Sequence, residues 1–224
     1  MKQLFFLCLT IFIGNSTISA QNIKEIDSLS VEMCNTLSKQ SDLSGEKKIE
    51  ATFQKHLVEY FQKINVSTQA EADSISTRIF YRLQKNCTAF TELLGVLEEN
   101  KSDWVKLTEK PISKIAKKDF TSFAKGGQFY YKEYDGTTVS VVVTKNSWTE
   151  TFADGTTSKL TFVPKDNNEF ELIFIESNNE TRKNFSMKGD KYKYGIYDKN
   201  KDGLQIWTTT EDNVYLGFTL YNKL

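Results

Sequence analysis

Two charged residues occupy positions where a strand pattern would turn them toward an apolar interior. Glu150 lies between Trp148 and Phe152. Lys183 precedes Phe185 by two positions. Because side chains alternate between the two faces of a β-strand, we expect both charges on the apolar face. Since a buried, unpaired charge is strongly unfavourable, they either pair with each other, orient a polar group of a ligand, or lie in water at a rim.

A ligand would need a cavity, and ring residues of the same apolar face would form its walls. Large side chains usually fill the interior of a small barrel, so a rim position or a structural pair is favoured for the two charges. The candidate ligand-binding residues are Glu150, Lys183, Trp148, Tyr192 and Tyr194.

A second cluster of oxygen-bearing side chains resembles half of a calcium loop. Asp198, Asn200 and Asp202 alternate ahead of Gly203, as the first half of such a loop requires. Thr209 stands where a bidentate Glu would complete the ligand set. The flanks have a strand pattern, so a polar hairpin loop is favoured, and we predict neither a metal nor a cofactor.

Catalytic machinery is not visible in the sequence. The single histidine, His56, falls beside an apolar helical stripe, where a partly covered surface residue is more common than a base. Nucleophile-elbow, zinc-protease and phosphate-loop motifs are missing. Carboxylate-only hydrolysis stays open, although no feature selects a pair of acids. We therefore predict a non-catalytic protein without catalytic residues.

Residues 1–20 have the pattern of a secretory signal peptide, with a positive start, an apolar run from Leu4 to Ile13 and small residues before the cut. The run is about half the ~20 residues of a spanning helix, so we predict no transmembrane segment. The protein is then secreted or periplasmic, where Cys34 and Cys87 are expected to form a disulfide.

The remaining chain has two hydrophobic periods. Residues 21–100 carry three apolar stripes at helical spacing, which predict a disulfide-clasped three-helix bundle. Residues 101–126 form a Lys-rich amphipathic connector. Residues 127–224 alternate apolar and polar residues between regular turn signals, which predicts an antiparallel meander. We expect an α+β protein whose second half closes as a β-barrel, with a meander sandwich as the alternative.

Local signals refine this division. Ser44 and the capping box formed by Thr68 and Glu71 predict the starts of the second and third helices.

In the connector, lysines recur every four residues and form either a basic stripe for an anionic partner or a solvated face. The solvated face is favoured. The lysines of this stripe are Lys106, Lys110, Lys114 and Lys118.

Four rings fall on the opposite, outward face of the last strands: Tyr197, Trp207, Tyr215 and Tyr221. An exposed strip of this kind could stack on sugar rings or hold a protein partner. Alternatively, the helical half packs over it, which we favour because the two halves need an interface. The burial of Trp207 distinguishes the two.

The first strand opens with Gly127-Gln128-Phe129, and short hairpins follow to the C-terminus. In this respect residues 127–224 resemble the lipocalin-like β-domains of exported bacterial proteins. The helical half resembles secreted two-cysteine helical domains. The lipocalin-like resemblance implies that a small apolar ligand binds in the barrel mouth.

We therefore predict an exported binding protein for a small apolar or amphipathic ligand. The alternative is a structural or interaction module of the cell envelope, whose barrel is filled and whose partner is an envelope protein or glycan. A void of roughly several hundred Å³ bordered by Glu150 or Lys183 would favour the first. A packed interior with Trp207 and Tyr215 exposed would favour the second. The 29 basic and 29 acidic residues balance, which argues against a nucleic-acid partner.

Overall fold

The computed structural model describes residues 18–97, 100–209 and 214–223. The helices are α1 (Ile18–Lys39), α2 (Gly45–Lys63), α3 (Gln69–Asn86), α4 (Thr88–Leu97), α5 (Lys117–Lys125) and α6 (Glu180–Phe185). The strands are β1 (Val105–Leu107), β2 (Gly126–Lys132), β3 (Thr138–Thr144), β4 (Ser147–Thr151), β5 (Thr157–Pro164), β6 (Glu169–Ser177), β7 (Lys191–Lys199), β8 (Gly203–Thr209) and β9 (Tyr215–Asn222). The α+β fold class is confirmed.

Most of the predicted signal peptide lies outside the described residues, which begin at Ile18 inside α1. Its cleavage therefore stays a prediction. Within the described ranges, no helix combines the length and the apolar character that a membrane crossing requires.

Helices α1 to α4 pack around one apolar core, because their stripes face one another. Cys34 of α1 is bonded to Cys87, with the two Cα atoms 5.5 Å apart, so the predicted disulfide clasp is confirmed. The third stripe forms two helices and not one. Cys87 has the extended backbone angles φ −138° and ψ 101°, which end α3 and let α4 turn back toward the core.

The two predicted helix starts are at the observed positions, because Ser44 and Thr68 are the N-cap residues of α2 and α3. Thr68 Oγ1 accepts a hydrogen bond from the Glu71 backbone N–H at 3.2 Å, and Glu71 Oε2 accepts one from the Ser67 N–H at 3.1 Å. The first bond satisfies a donor that a helix start leaves unpaired, and the second holds the residue that precedes the N-cap. Ser44 occupies the N-cap of α2 but makes no capping bond with its side chain.

Strands β2 to β9 form a closed eight-stranded meander barrel. Each pairs antiparallel with the next, and the end of β9 pairs with β2 at Tyr221 and Tyr130. Closure removes the exposed edges that an open sheet would leave, and the barrel is confirmed over the sandwich. β1 extends the sheet by pairing with the start of β9, on the edge that β2 leaves free.

Helix α5 plugs one end of the barrel. Its Phe123 ring lies 5.6, 5.7 and 5.5 Å from the rings of Phe129, Phe162 and Phe170, measured between centroids. Phe120 is buried beside it. Aromatic rings in such contact combine large buried apolar areas with favourable edge and face packing, so this end is filled with side chains.

The residues around Lys183, which were predicted to form a strand, form helix α6. Asn179 Oδ1 accepts a hydrogen bond from the Arg182 N–H at 3.1 Å and so starts a helical turn. This turn points Lys183 outward, where its Nζ pairs with Glu180 Oε2 at 2.6 Å. The prediction that Lys183 faces the barrel interior is therefore wrong.

The helical half docks on α6 and on the turn that follows it. Arg82 of α3 donates to the carbonyl oxygen of Phe185 at 2.8 Å and to Asp190 Oδ2 at 3.1 Å. At the residue before Arg82, the Tyr81 hydroxyl lies 3.1 Å from Thr181 Oγ1. These contacts hold α3 over the barrel end opposite α5.

The outward aromatic strip is covered by the connector and not by the helical bundle. Trp207 is only 3% exposed, and the ammonium group of Lys110 lies 4.9 Å from its ring centroid. A Cβ atom on Gly195 would overlap the Trp207 indole, so this glycine lets the ring lie flat on β7. The backbone oxygen of Tyr197 accepts from the Lys114 N–H at 2.8 Å.

Two other rings of the strip also have neighbours. The Tyr221 hydroxyl donates to Asp103 Oδ2 of the connector at 3.1 Å, and Tyr215 packs edge-on against Trp207. The predicted exposed strip of Tyr197, Trp207, Tyr215 and Tyr221 is therefore corrected at Trp207, whereas the three tyrosines are half-buried. The alternative of a helical cover is corrected as well, because the connector supplies the cation over the Trp207 ring. The connector lysines pair with acids, as a solvated face does: these pairs are Lys106–Glu92, Lys110–Glu169 and Lys114–Asp198.

Candidate ligand-binding site

A cavity of about 400 Å³ opens at the barrel end that faces the helical half. It arises because the inward side chains fill the barrel only partway. Along β6, Phe170 packs against the α5 plug, whereas Leu172 and Phe174 border the cavity. We call this space the mouth cavity. Its barrel walls also include Tyr131, Trp148, Glu150, Ser158, Leu160, Tyr192, Tyr194, Leu216 and Phe218.

A charged cluster lies on one wall of the mouth cavity; we call Tyr131, Glu133, Glu150 and Arg182 the mouth cluster. Arg182 comes from α6 and pairs with Glu133 at close range; its Nη2 also donates to the Tyr131 hydroxyl at 3.0 Å. The Tyr131 hydroxyl lies 3.0 Å from Glu150 Oε1. Strands β2 and β4 thus hold the phenol and one acid, and α6 brings the cation.

Glu150 is the deepest acid of the mouth cluster and is 9% exposed. Its Oε1 accepts from the Tyr131 hydroxyl and from Trp148 Nε1, at 3.0 and 3.4 Å. Its Oε2 lies 3.6 Å from Arg182 Nε, which is longer than a hydrogen bond. Within the part of the chain that the structure describes, Oε1 therefore accepts two hydrogen bonds, whereas Oε2 has the ion contact alone.

The surroundings shift the pKa of several groups in this wall. Burial, reinforced by the Glu150 charge, raises the pKa of Tyr131 well above its usual value and also that of Tyr194. Burial alone would lower the pKa of Arg182. Its contacts with Tyr131, Glu133 and Glu150 outweigh this effect and raise the pKa well above the ordinary value. Both phenols are therefore neutral and Arg182 is charged at physiological pH, so the wall offers hydroxyl groups, carboxylates and a guanidinium.

Stacked rings form the apolar part of the site. Phe170 stacks on Trp148 and on Tyr194, with centroid distances of 6.0 and 5.3 Å. On the facing wall Trp104 of the connector stacks on Phe218 at 4.3 Å. Rings held by such stacking keep their orientation, so the cavity presents rigid aromatic surfaces that suit a flat or chain-like apolar body.

The helical half forms the rim of the mouth cavity through Gln84, Lys85 and Thr91. Lys85 Nζ lies 2.5 Å from Asp190 Oδ2 and 5.2 Å from the centroid of the Tyr192 ring. The Tyr192 hydroxyl in turn lies 2.7 Å from Ser186 Oγ. The contact between the two halves of the protein thus also borders the cavity.

The structure brings together four of the five predicted ligand-binding residues. Trp148, Glu150, Tyr192 and Tyr194 all border the mouth cavity, whereas Lys183 does not. Sequence reasoning missed Arg182, the actual partner of Glu150. Asn179 three residues earlier was the available signal, because asparagine in that position starts a helix, and a helix turns Arg182 inward in place of its neighbour.

The predicted hairpin loop uses its oxygen atoms internally. Asn200 Oδ1 accepts from the backbone N–H groups of Asp202 and Gly203, at 2.8 and 3.0 Å. Asp198 Oδ1 accepts from the Lys199 N–H, and its Oδ2 lies 3.8 Å from Lys114 Nζ. Among the residues that the structure describes, no group of three or more His, Cys, Asp or Glu side chains could hold a metal ion.

Two grooves on the helical half are more open than the mouth cavity. One, of about 560 Å³, lies at the α2–α3 turn beside Asn65; the other, of about 390 Å³, lies between α1 and α2 beside His56. Burial, assisted by the nearby Lys55 charge, lowers the pKa of His56, whose Nε2 lies 2.8 Å from Thr36 Oγ1. Polar side chains dominate both grooves, so neither matches the aromatic enclosure of the mouth cavity.

Comparison of the chain with protein-family models, with curated proteins and with solved structures found no match. Function is therefore inferred from the geometry of the mouth cavity.

Proposed function

We propose that this protein is an exported, non-catalytic binding protein that holds a small apolar or amphipathic ligand in the mouth cavity. The observation that carries the proposal is a cavity of about 400 Å³ bordered by Glu150 and by rigid aromatic walls. Ligand pockets have volumes of roughly 300–1,000 Å³ and combine apolar walls with a few polar groups. The ligand's apolar body would lie against the rings and its polar group against the mouth cluster.

One further feature supports this choice over a filled structural module. Trp207, which an outer interaction surface would expose, lies beneath the connector. The outer face of the last strands therefore offers little ring surface to an envelope protein or glycan.

Export is proposed on separate grounds. The first twenty residues have a signal-peptide pattern, and the Cys34–Cys87 disulfide suits an oxidising compartment outside the cytoplasm. A secreted or periplasmic protein that binds a small amphipathic molecule would carry, store or sense it there.

A neutral fluorescent probe tests the proposed site. We expect N-phenyl-1-naphthylamine to bind saturably, with a rise in fluorescence on titration. Replacing Leu216, which borders the cavity, by tryptophan should fill the space and weaken binding by about tenfold or more. The reason is that losing roughly 60 Å² of apolar contact costs about 1.5 kcal/mol, which is about a factor of ten in affinity.

The matched control is Val142→Trp, which adds the same ring to an exposed outward position on β3. This variant should bind the probe as the wild type does. Circular dichroism would verify that both variants keep the fold. Absence of saturable binding, or equal binding by a folded Leu216→Trp protein, would contradict the proposed function.

A further inference from the structure

The mouth cluster contains more acid than base. Two carboxylates, Glu133 and Glu150, face one guanidinium, that of Arg182. With both acids ionised the cluster has a formal charge of −1. Its side chains are partly or largely withdrawn from water, and interactions between charges are stronger in such surroundings than in bulk water. The excess charge is therefore felt inside the cavity.

The charges at the rim do not cancel this excess. Lys85 and Arg82 are matched by Asp190 and Asp27, so that group is neutral. Lys191 borders the cavity, but its side chain is 63% exposed and its charge is screened by water. The net negative charge thus belongs to the wall on which Glu150 lies.

An anionic ligand is disfavoured by the same arrangement. Arg182 already lies against two carboxylates and donates to the Tyr131 hydroxyl. A ligand carboxylate would be a third acid around one guanidinium and would be repelled by Glu133 and Glu150. The Arg182 guanidinium also lies over the Phe152 ring, with its carbon 5.3 Å from the centroid, which fixes its orientation toward the protein's own acids.

A cationic group, by contrast, finds suitable partners. Among the described residues, the contact of Glu150 Oε2 is the one with Arg182 Nε at 3.6 Å, so this oxygen can accept a hydrogen bond from a ligand. Trp148 and Tyr194 border the same cavity, and aromatic rings of this kind attract cations. Burial, reinforced by the Glu150 charge, raises the pKa of Tyr194, so its hydroxyl is protonated at neutral pH in the free protein.

We propose that the mouth cavity selects a small amphiphile carrying a protonated amine, whose ammonium group binds Glu150 while its apolar body lies against the aromatic walls. This inference rests on the proposed function and adds the chemical class of the ligand. Glu150 is the specificity-determining residue, and Tyr131 and Arg182 are positioning residues that hold its carboxylate in place.

Three eight-carbon probes of nearly equal size test the charge preference: octylammonium, octanol and octanoate. Isothermal titration calorimetry at neutral pH should show octylammonium binding about tenfold or more tightly than octanol, with octanoate weakest. A charge-assisted hydrogen bond accounts for a preference of this order. In Glu150→Gln, the octylammonium affinity should fall about tenfold, while the octanol affinity stays within about twofold.

Glu176→Gln is the matched control, because Glu176 is a strand glutamate paired with Lys159 on the outer face of the barrel. It should leave all three affinities unchanged. If Glu150→Gln does not fold, Glu133→Gln replaces it. Glu133 is more exposed than Glu150, and its replacement also removes one negative charge from the mouth cluster.

The outcomes separate the two proposals. Equal or tighter binding of octanol or octanoate would overturn the amine preference and leave the binding function standing. An unchanged octylammonium affinity in the folded acid-to-amide variant would also overturn it. If none of the three probes binds, the inference is overturned, and the naphthylamine titration then decides whether the binding function falls with it.

Discussion

Replacing Arg82 by methionine is expected to lower the free energy of unfolding by about 3–5 kcal/mol, the usual cost of removing one partner from a buried ion pair. Arg82 is 3% exposed. Its Nε and Nη2 donate to the two carboxylate oxygens of Asp27 at 2.6 and 2.8 Å. The same guanidinium holds Asp190 and the Phe185 carbonyl of the barrel half. Methionine fills similar volume but removes the Arg82 donor groups from all of these acceptors, and it removes the positive charge that faces Asp27 and Asp190.

The control is Arg78→Met, one turn earlier on α3. With the described residues, the Arg78 side chain makes one hydrogen bond, from Nε to Asn184 Oδ1 at 3.4 Å, so we expect a loss of about 1 kcal/mol. Urea denaturation of the three proteins measures both effects. Equal stability of Arg82→Met and wild type would mean that the guanidinium does not join the two halves.

The pH dependence of unfolding tests the role of Arg82 a second time. Burial alone would raise the pKa of Asp190, but hydrogen bonds from Lys85 and the Met187 N–H, with the charges of Lys85 and Arg82, lower it below its usual 3.8. A carboxyl group with a lowered folded pKa adds stability above the unfolded pKa and loses it as the pH falls through the folded value. The difference between wild type and Arg82→Met should therefore shrink below about pH 4.

Replacing Phe123 by alanine is expected to lower the free energy of unfolding by about 3–5 kcal/mol, the range for a buried phenylalanine. The Phe123 ring is 5% exposed and packs against three further phenyl rings at the closed end of the barrel. Its removal leaves a cavity that those rings cannot fill without leaving their own contacts. Thermal and urea denaturation measure the loss.

Ile112→Ala is the control for this change, because Ile112 is 87% exposed in the connector. It should alter stability by no more than about 0.5 kcal/mol. A loss below about 1 kcal/mol for Phe123→Ala would mean that Phe123 does not plug the barrel.

The sequence predicted the architecture well where one period ran through many residues. Val139, Val141 and Val143 alternate without interruption, and all three point into the barrel core. Cys34 borders one apolar helical stripe and Cys87 lies within another, so antiparallel packing brought their sulfur atoms together. In these regions local pattern and tertiary packing select the same faces.

The sequence predicted the site less well, because the decisive element is short. Helix α6 spans six residues, too few for a helical period to emerge from the alternation around Phe185. One capping bond at Asn179 determines whether Arg182 or Lys183 points inward. The depth to which a barrel is filled depends on the register of all eight strands, which spacing along the chain does not reveal.

The hydrophobic pattern also could not predict which segment covers Trp207. Connector residues such as Asp103 and Lys110 contact strands about one hundred positions away in the chain. The hydrophobic period of β8 marks Trp207 as outward-facing, which is correct, but periodicity does not say what lies on that face. The contact required the three-dimensional path of the connector.

A crystal structure of the protein with bound N-phenyl-1-naphthylamine tests the central claim most directly. Our account predicts probe density in the mouth cavity, with its rings against Trp148 and Tyr194 and beside Glu150. Density instead in the groove between α1 and α2 beside His56, with the barrel mouth free of probe, would contradict it.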